Sequence, residues 1–322
     1  MESRGFLRIF EMPRGFVEPA LKMCRTFNTC LDYDFYDVST FVAFLRAHGE
    51  SISTLGGSPN ANAAATIDLS AFDNPEGALL VIDAKRKPFA LRFDTVPDFL
   101  EWHEKADRKP TTVCISGVGS SALGSAALAW DISSTIDGNV IAIVPGYGLA
   151  DCILQGMGGW FGFGLHNALN TKSNIQDLLA MAVPETARIG RNLSASAPGS
   201  KTAPTGAPIF QTGCGSSDVL HALLQEIKLE RLIGHSKGAL SIGNALRSLR
   251  PDRLDGLKVV TLGCPIAKEF DNVAYHQFLG LFDALGQANA WTNLPDTWLL
   301  SDHSTNTQLP LSMDVEQLCE AE

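Results

Sequence analysis

A serine hydroxyl, an imidazole and a carboxylate are the reactive groups this sequence places most tellingly. The serine stands in Gly234-His235-Ser236-Lys237-Gly238. Before it, Leu229-Glu230-Arg231-Leu232-Ile233 can form a short strand; after it, Ala239 to Leu246 is a run of small and apolar residues with helical spacing. A Gly-x-Ser-x-Gly between strand and helix predicts a nucleophile elbow, a strained turn that exposes the serine hydroxyl. Glycines two residues either side are expected there, because a side chain would collide with the strand or the helix start.

A serine hydroxyl is a poor nucleophile at neutral pH and needs a base within hydrogen-bond reach, itself oriented by an acid. After an elbow serine the chain order is Asp or Glu, then His. Only His276 and His303 follow Ser236. His276 begins an expected strand, at the wrong edge for chemistry. His303 lies in the polar loop Ser301 to Thr307, just beyond the expected last strand Thr297–Leu300, and is the expected base. Three aspartates compete to orient it. Asp302 is adjacent in sequence, and neighbouring side chains diverge; Asp296 precedes the last strand and belongs at its amino end. Asp283 follows the apolar run Phe278–Phe282 and belongs at a carboxyl end, so it is favoured. Its alternative job is to cap a helix beginning at Ala284.

Acyl transfer also needs backbone N–H donors aimed at an oxyanion. The Lys237 amide is one. The second is expected from the loop Ser116 to Ser121, as the Val118 or Gly119 amide, which the sequence does not separate. The Lys237 side chain could suggest a Ser-Lys pair, but in the first turn of a helix it should point away from the neighbouring hydroxyl.

These groups need a frame. Strands are expected at Ala78–Ile82, Phe89–Phe93, Thr112–Ile115, Val140–Val144, Arg231–Ile233, Leu257–Leu262, Gln277–Phe282 and Thr297–Leu300, with helices at Val38–His48, Pro97–Lys105, Ser120–Trp130 and Ser217–Ile227. Short apolar strands alternating with helices predict a mostly parallel sheet covered on both faces, with functional groups at the carboxyl ends of its strands. Residues 49–65 read as loop, and 1–75 yield no role. Residues 147–215 interrupt the alternation as a lid-like insertion. Trp160, Phe161 and Phe163 within it are candidates to bind an apolar substrate.

The elbow through Leu240, followed by Val259-Val260-Thr261-Leu262-Gly263-Cys264-Pro265, resembles the α/β-hydrolase superfamily, most closely its lipases. In that family a Gly-His-Ser-x-Gly elbow precedes a strand ending in Gly-x-Pro, and a later aspartate and histidine map onto Asp283 and His303. The resemblance covers roughly residues 110 to 310. It implies one α/β-hydrolase domain over 1–322, acting on carboxylic esters without cofactor or metal. Lys237 stands where lipases often carry leucine or glycine, and no His-Gly pair follows Ile115, so the likeness is to the superfamily.

Two other readings compete. Gly117-x-Gly119-x-x-Ala122 after a strand fits a dinucleotide-binding fingerprint. That fingerprint requires an acid at the end of the second strand, where Val140–Val144 leads into Pro145; Asp137 lies at the other end. A non-catalytic binding protein could use the elbow only as a tight turn. Composition narrows the partners. A net charge of −10 disfavours nucleic acid or an anionic membrane surface. No stretch has the ~18 apolar residues of a membrane span. Seven scattered cysteines without a Cys-x-x-Cys pair read as the reduced thiols of a cytoplasmic protein. The expected partner is a small ester with an apolar acyl group.

Overall fold

The structure, a computed structural model, describes residues 14–53, 66–69, 76–136, 138–145, 175, 178, 215–247, 249–290 and 293–320. Trp160, Phe161 and Phe163, and almost all of the expected insertion, lie outside the described residues.

The chain runs α1 (Arg14–Phe35), α2 (Val38–Ala47), β1 (Ser51–Ser53), β2 (Thr66–Asp68), β3 (Leu79–Ile82), β4 (Ala90–Phe93), α3 (Val96–Lys105), β5 (Thr112–Ile115), α4 (Ala122–Ile136) and β6 (Val140–Ile143). It continues through α5 (Gly215–Glu226), β7 (Arg231–His235), α6 (Lys237–Leu246), β8 (Lys258–Leu262), β9 (Ala274–Gly280), α7 (Ala284–Asn289), β10 (Thr297–Leu299) and α8 (Val315–Glu320). Eight strands form one sheet in the order β10-β9-β8-β7-β5-β6-β3-β4. Neighbours pair in parallel except around β3, which is antiparallel to both β4 and β6. The fold is α/β, with a mostly parallel sheet flanked by helices.

The apolar strands build this arrangement by alternation, since successive side chains point to opposite faces. Leu79, Val81, Val113, Ile115, Leu232 and Val259 pack on one face with α3, α5 and α6. Leu80, Ile82, Cys114, Ile233, Val260 and Leu262 pack on the other with α2, α4 and α8. A strand buried on both faces has no room for polar positions, hence the near-continuous apolar runs.

Several boundaries move. The expected strand Gln277–Phe282 is observed at Ala274–Gly280, where register with β8 places Ala274 opposite Lys258, so pairing begins before the apolar run. His276 thus sits inside the strand, opposite Val260. The helix expected at Ser120–Trp130 runs from Ala122 to Ile136. Part of the expected loop 49–65 is strand: Ser51–Ser53 pairs in parallel with Thr66–Asp68. The largest addition is α1, a helix of 22 residues in the stretch that yielded no role.

The elbow depends on contact between β7–α6 and the end of β5. A Cβ on Gly238 would lie 1.9 Å from the Ile115 carbonyl oxygen, and one on Gly234 would lie 2.5 Å from the Ala239 nitrogen. Both obstacles are backbone, which cannot swing aside. Gly238→Ala is therefore expected to destabilise the fold by about 3 kcal/mol or more. Gly256→Ala serves as the comparison, because Gly256 has a positive φ of +76° and nothing within 4 Å of its Cβ position. It should cost only about 1–2 kcal/mol of left-handed strain. Urea denaturation of both variants checks this; equal losses would mean that the elbow contact is not the constraint.

Candidate active site

Four strand ends deliver the site. Gly117 follows β5, Ser236 follows β7, Asp283 follows β9 and His303 follows β10. Ser236 has φ 53° and ψ −122°, a left-handed conformation that costs a non-glycine residue strain and is held by its surroundings. Its amide donates to the Leu262 carbonyl at 2.9 Å.

His303 Nδ1 lies 2.7 and 2.8 Å from the two carboxylate oxygens of Asp283. Both residues are buried. Asp283 Oδ1 also accepts from the Gly286 amide at 2.6 Å, capping α7. The two jobs considered for this aspartate are thus done at once. The competing aspartates are engaged elsewhere. Asp296 accepts from the Gln277 amide and pairs with Lys268, while Asp302 accepts from the Ser304 amide.

Ser236 and His303 line one cavity of about 650 Å³, together with His235, Gly117, Val118 and Ser120. Among the described residues the Ser236 hydroxyl has no hydrogen-bond partner, so serine and imidazole share the cavity without a formed link. Val118 and Gly119 are the central residues of a turn closed by Ser120 N–H donating to the Gly117 carbonyl at 3.3 Å. Gly119 has φ +72°, as the third position of a type II turn requires. Neither of their amides bonds another group among the described residues. Lys237 heads α6, is buried and does not line the cavity.

The opposite wall is α1, which sequence reasoning missed. Met23, Phe27, Leu31 and Phe35 recur every four residues and form an apolar row along the cavity. Asn28, Asp32 and Tyr36 form a polar row beside it. The four-residue repeat was readable, but the apolar row is left partly open (Met23 is 71% and Phe27 64% exposed) instead of sealing a core. Phe35 and His303 pack perpendicular to one another, ring centroids 5.8 Å apart.

A directed chain of hydrogen bonds ties these parts together. The Gly117 amide donates to Tyr36 Oη at 2.7 Å, and Tyr36 Oη is 2.8 Å from His235 Nδ1. His235 Nε2 lies 2.9 Å from the His303 carbonyl oxygen. A carbonyl only accepts, so Nε2 carries the proton and Nδ1 accepts from the tyrosine hydroxyl. Burial and the nearby His303 push His235 down to about 3, which keeps this imidazole neutral.

Asp32 Oδ1 accepts from the Ser120 hydroxyl at 2.8 Å and Oδ2 from the Ser121 amide at 2.9 Å. Its carboxylate thus fills the N-terminus of α4, where a Cβ on Gly124 would meet it at 2.4 Å. A dinucleotide phosphate would need that position. The Gly117-x-Gly119-x-x-Ala122 stretch therefore presents an occupied anion site. Among the described residues no His, Cys, Asp and Glu cluster has metal-binding geometry, and no helix is long and apolar enough to cross a membrane. Cys114, Cys264 and Cys319 are buried free thiols, and Cys30 is exposed. No protein-family model and no curated protein matches the chain.

Burial raises Asp32 from 3.8 to about 7, against hydrogen bonds from Ser121 and Ser120, and lowers His235 from 6.5 to about 3. Between about pH 4 and 6.5 the native state keeps an Asp32 proton that the unfolded chain has released, so that contribution falls as pH rises through 7. Over nearly the same window the unfolded chain takes up a His235 proton that the native state refuses, so that contribution falls as pH drops toward 3. The two slopes oppose one another. Relative to wild type, His235→Gln stability should fall with rising pH by up to about 1.4 kcal/mol per unit between pH 4 and 6, and Asp32→Asn stability should rise by as much. Urea melts at fixed pH test this, and curves parallel to wild type would refute it.

Proposed function

We propose that this chain is an α/β-hydrolase-fold serine hydrolase that cleaves carboxylic esters through an acyl-enzyme on Ser236. The observation that carries the reading is the Asp283–His303 pair, with both carboxylate oxygens within 2.8 Å of Nδ1, beside a positive-φ serine lining the same cavity. Asp283 fixes the tautomer by accepting from Nδ1–H, which leaves Nε2 as the basic nitrogen. Ser236 Oγ adds to the ester carbonyl as its proton passes to His303 Nε2. The carbonyl electron pair moves onto oxygen, where the Lys237 amide and the Val118 or Gly119 amide receive it. Collapse expels the alcohol, which takes the proton from Nε2, and water repeats the sequence to free the acid.

The apolar row Met23, Phe27, Leu31 and Phe35 supports an apolar acyl group as the part bound beside the serine. The unlinked Ser236 hydroxyl is the one observation that favours a non-catalytic binding protein. Serine–imidazole bonds are often long before substrate binds, however, so it does not outweigh the pair.

The test is a p-nitrophenyl ester chain-length series together with fluorophosphonate labelling. Wild type should hydrolyse the esters and carry the label on Ser236. Ser236→Ala should lose the label and at least about a thousandfold in kcat, and Asp283→Asn about as much, because the imidazole is then held in the wrong tautomer. An unlabelled wild type, or equal rates in wild type and Ser236→Ala, would rule the reading out.

A further inference from the structure

We propose that Asp32 is a positioning residue for acyl transfer: its ionised carboxylate, delivered by α1, latches the turn Gly117–Ser121 so that the Val118 and Gly119 amides face the cavity. This rests on the serine-hydrolase reading and names a part of the site that neither the elbow nor the Asp283–His303 pair supplies.

The turn is held at both ends by α1 and the residue that follows it. At its start the Gly117 amide donates to Tyr36 Oη at 2.7 Å. At its end the Ser120 hydroxyl and the Ser121 amide donate to the two oxygens of Asp32. Tyr36 follows α1 directly and its amide donates to the Asp32 carbonyl at 2.9 Å, so the end of the helix sets the spacing of both anchors. Only the two middle residues are left with amides unengaged among the described residues, and Val118 lines the cavity beside Ser236. Without the latch, the Ser120 N–H bond to the Gly117 carbonyl, at 3.3 Å, remains to close the turn.

The charge state matters because both partners are donors. A carboxylate accepts from both. A protonated carboxyl must turn the Ser120 bond round, donating its O–H to the hydroxyl oxygen, and keeps only a neutral bond from the Ser121 N–H, so both lose their charge assistance and the hold weakens. Asp32 is buried and titrates near 7, so the latch changes state near neutral pH. The groups facing it are Tyr36 just after its own helix, Ser120 and Ser121 from the turn, and Gly124 from α4. His235 and His303 line the same cavity. No cation is among the causes that set its proton affinity.

The experiment compares wild type, Asp32→Asn and Ser120→Ala by ester hydrolysis from pH 5 to 9 and by hydrogen exchange of the Gly117, Ser120 and Ser121 amides. Asp32→Asn should lower kcat roughly ten- to a hundredfold with little change in KM, since a misaimed donor acts at the transition state. The acid limb of log kcat/KM should be steeper in wild type than in Asp32→Asn by up to one proton, the one that Asp32 binds. The three amides should lose protection in Asp32→Asn while β5 and β7 keep theirs. Wild-type kcat with the same acid-limb slope in both proteins would overturn the latch. Should wild type hydrolyse no ester, the hydrolase reading fails, and exchange alone decides the latch: unchanged protection in Asp32→Asn refutes it. Should Asp32→Asn not fold, Ser120→Ala decides, and wild-type kcat with wild-type protection there refutes it.

Discussion

Everything at this site hangs on one buried imidazole that stays neutral. His235 occupies the position before the serine, and its two ring nitrogens face opposite ways: one accepts from Tyr36, the other donates to the backbone of His303. Through it the turn after β5, the helix α1, the end of β7 and the loop after β10 share one hydrogen-bonded chain. Protonating that ring would put a second donor against the tyrosine hydroxyl. Orphaning either partner in a buried setting costs about 1–3 kcal/mol. The depressed proton affinity of His235 is thus a consequence of the architecture and a condition for it.

The same helix places charge and greasy surface side by side. One row of α1 carries Asn28 and Asp32 and is continued by Tyr36 just past the helix, the adjacent row carries Met23, Phe27, Leu31 and Phe35, and both border the cavity. A surface helix ordinarily turns its apolar row into a core; here the row stays partly open at the cavity. The cost of that exposure falls on a helix anchored elsewhere, by Asp32 at the start of α4 and by the Ser304, Thr305 and Asn306 side chains donating to the carbonyls of Asp34, Phe35 and Tyr33.

Much of the sheet was legible because strands buried on both faces have to be continuously apolar. β5 was expected at its observed bounds, and β3, β6, β8 and β10 shifted by about a residue at an end. The elbow was legible because Gly234 and Gly238 sit where backbone meets backbone. Asp283 and His303 could be chosen from chain order and strand ends alone. β9 was misplaced because Ala274, Tyr275 and His276 are not a strongly apolar start; pairing with β8 brings them into the strand. The second helix anchor, Asp32, gave no local signal, because its partners lie 88 and 89 residues away.

Sequence alone determined the layer order and the glycine-flanked turn at Ser236, and it pointed to Asp283 and His303 as strand-end groups, since each follows from local pattern or chain order. Tertiary structure decided that Asp283 and His303 bond, that Ser236 and His303 open onto one cavity, and that the first helix forms its far wall. The reason is the range of the forces involved. Periodicity and turn chemistry act over a few residues and can be read along the chain. Burial, which pins His235 neutral and raises Asp32, exists only once distant segments have closed around them.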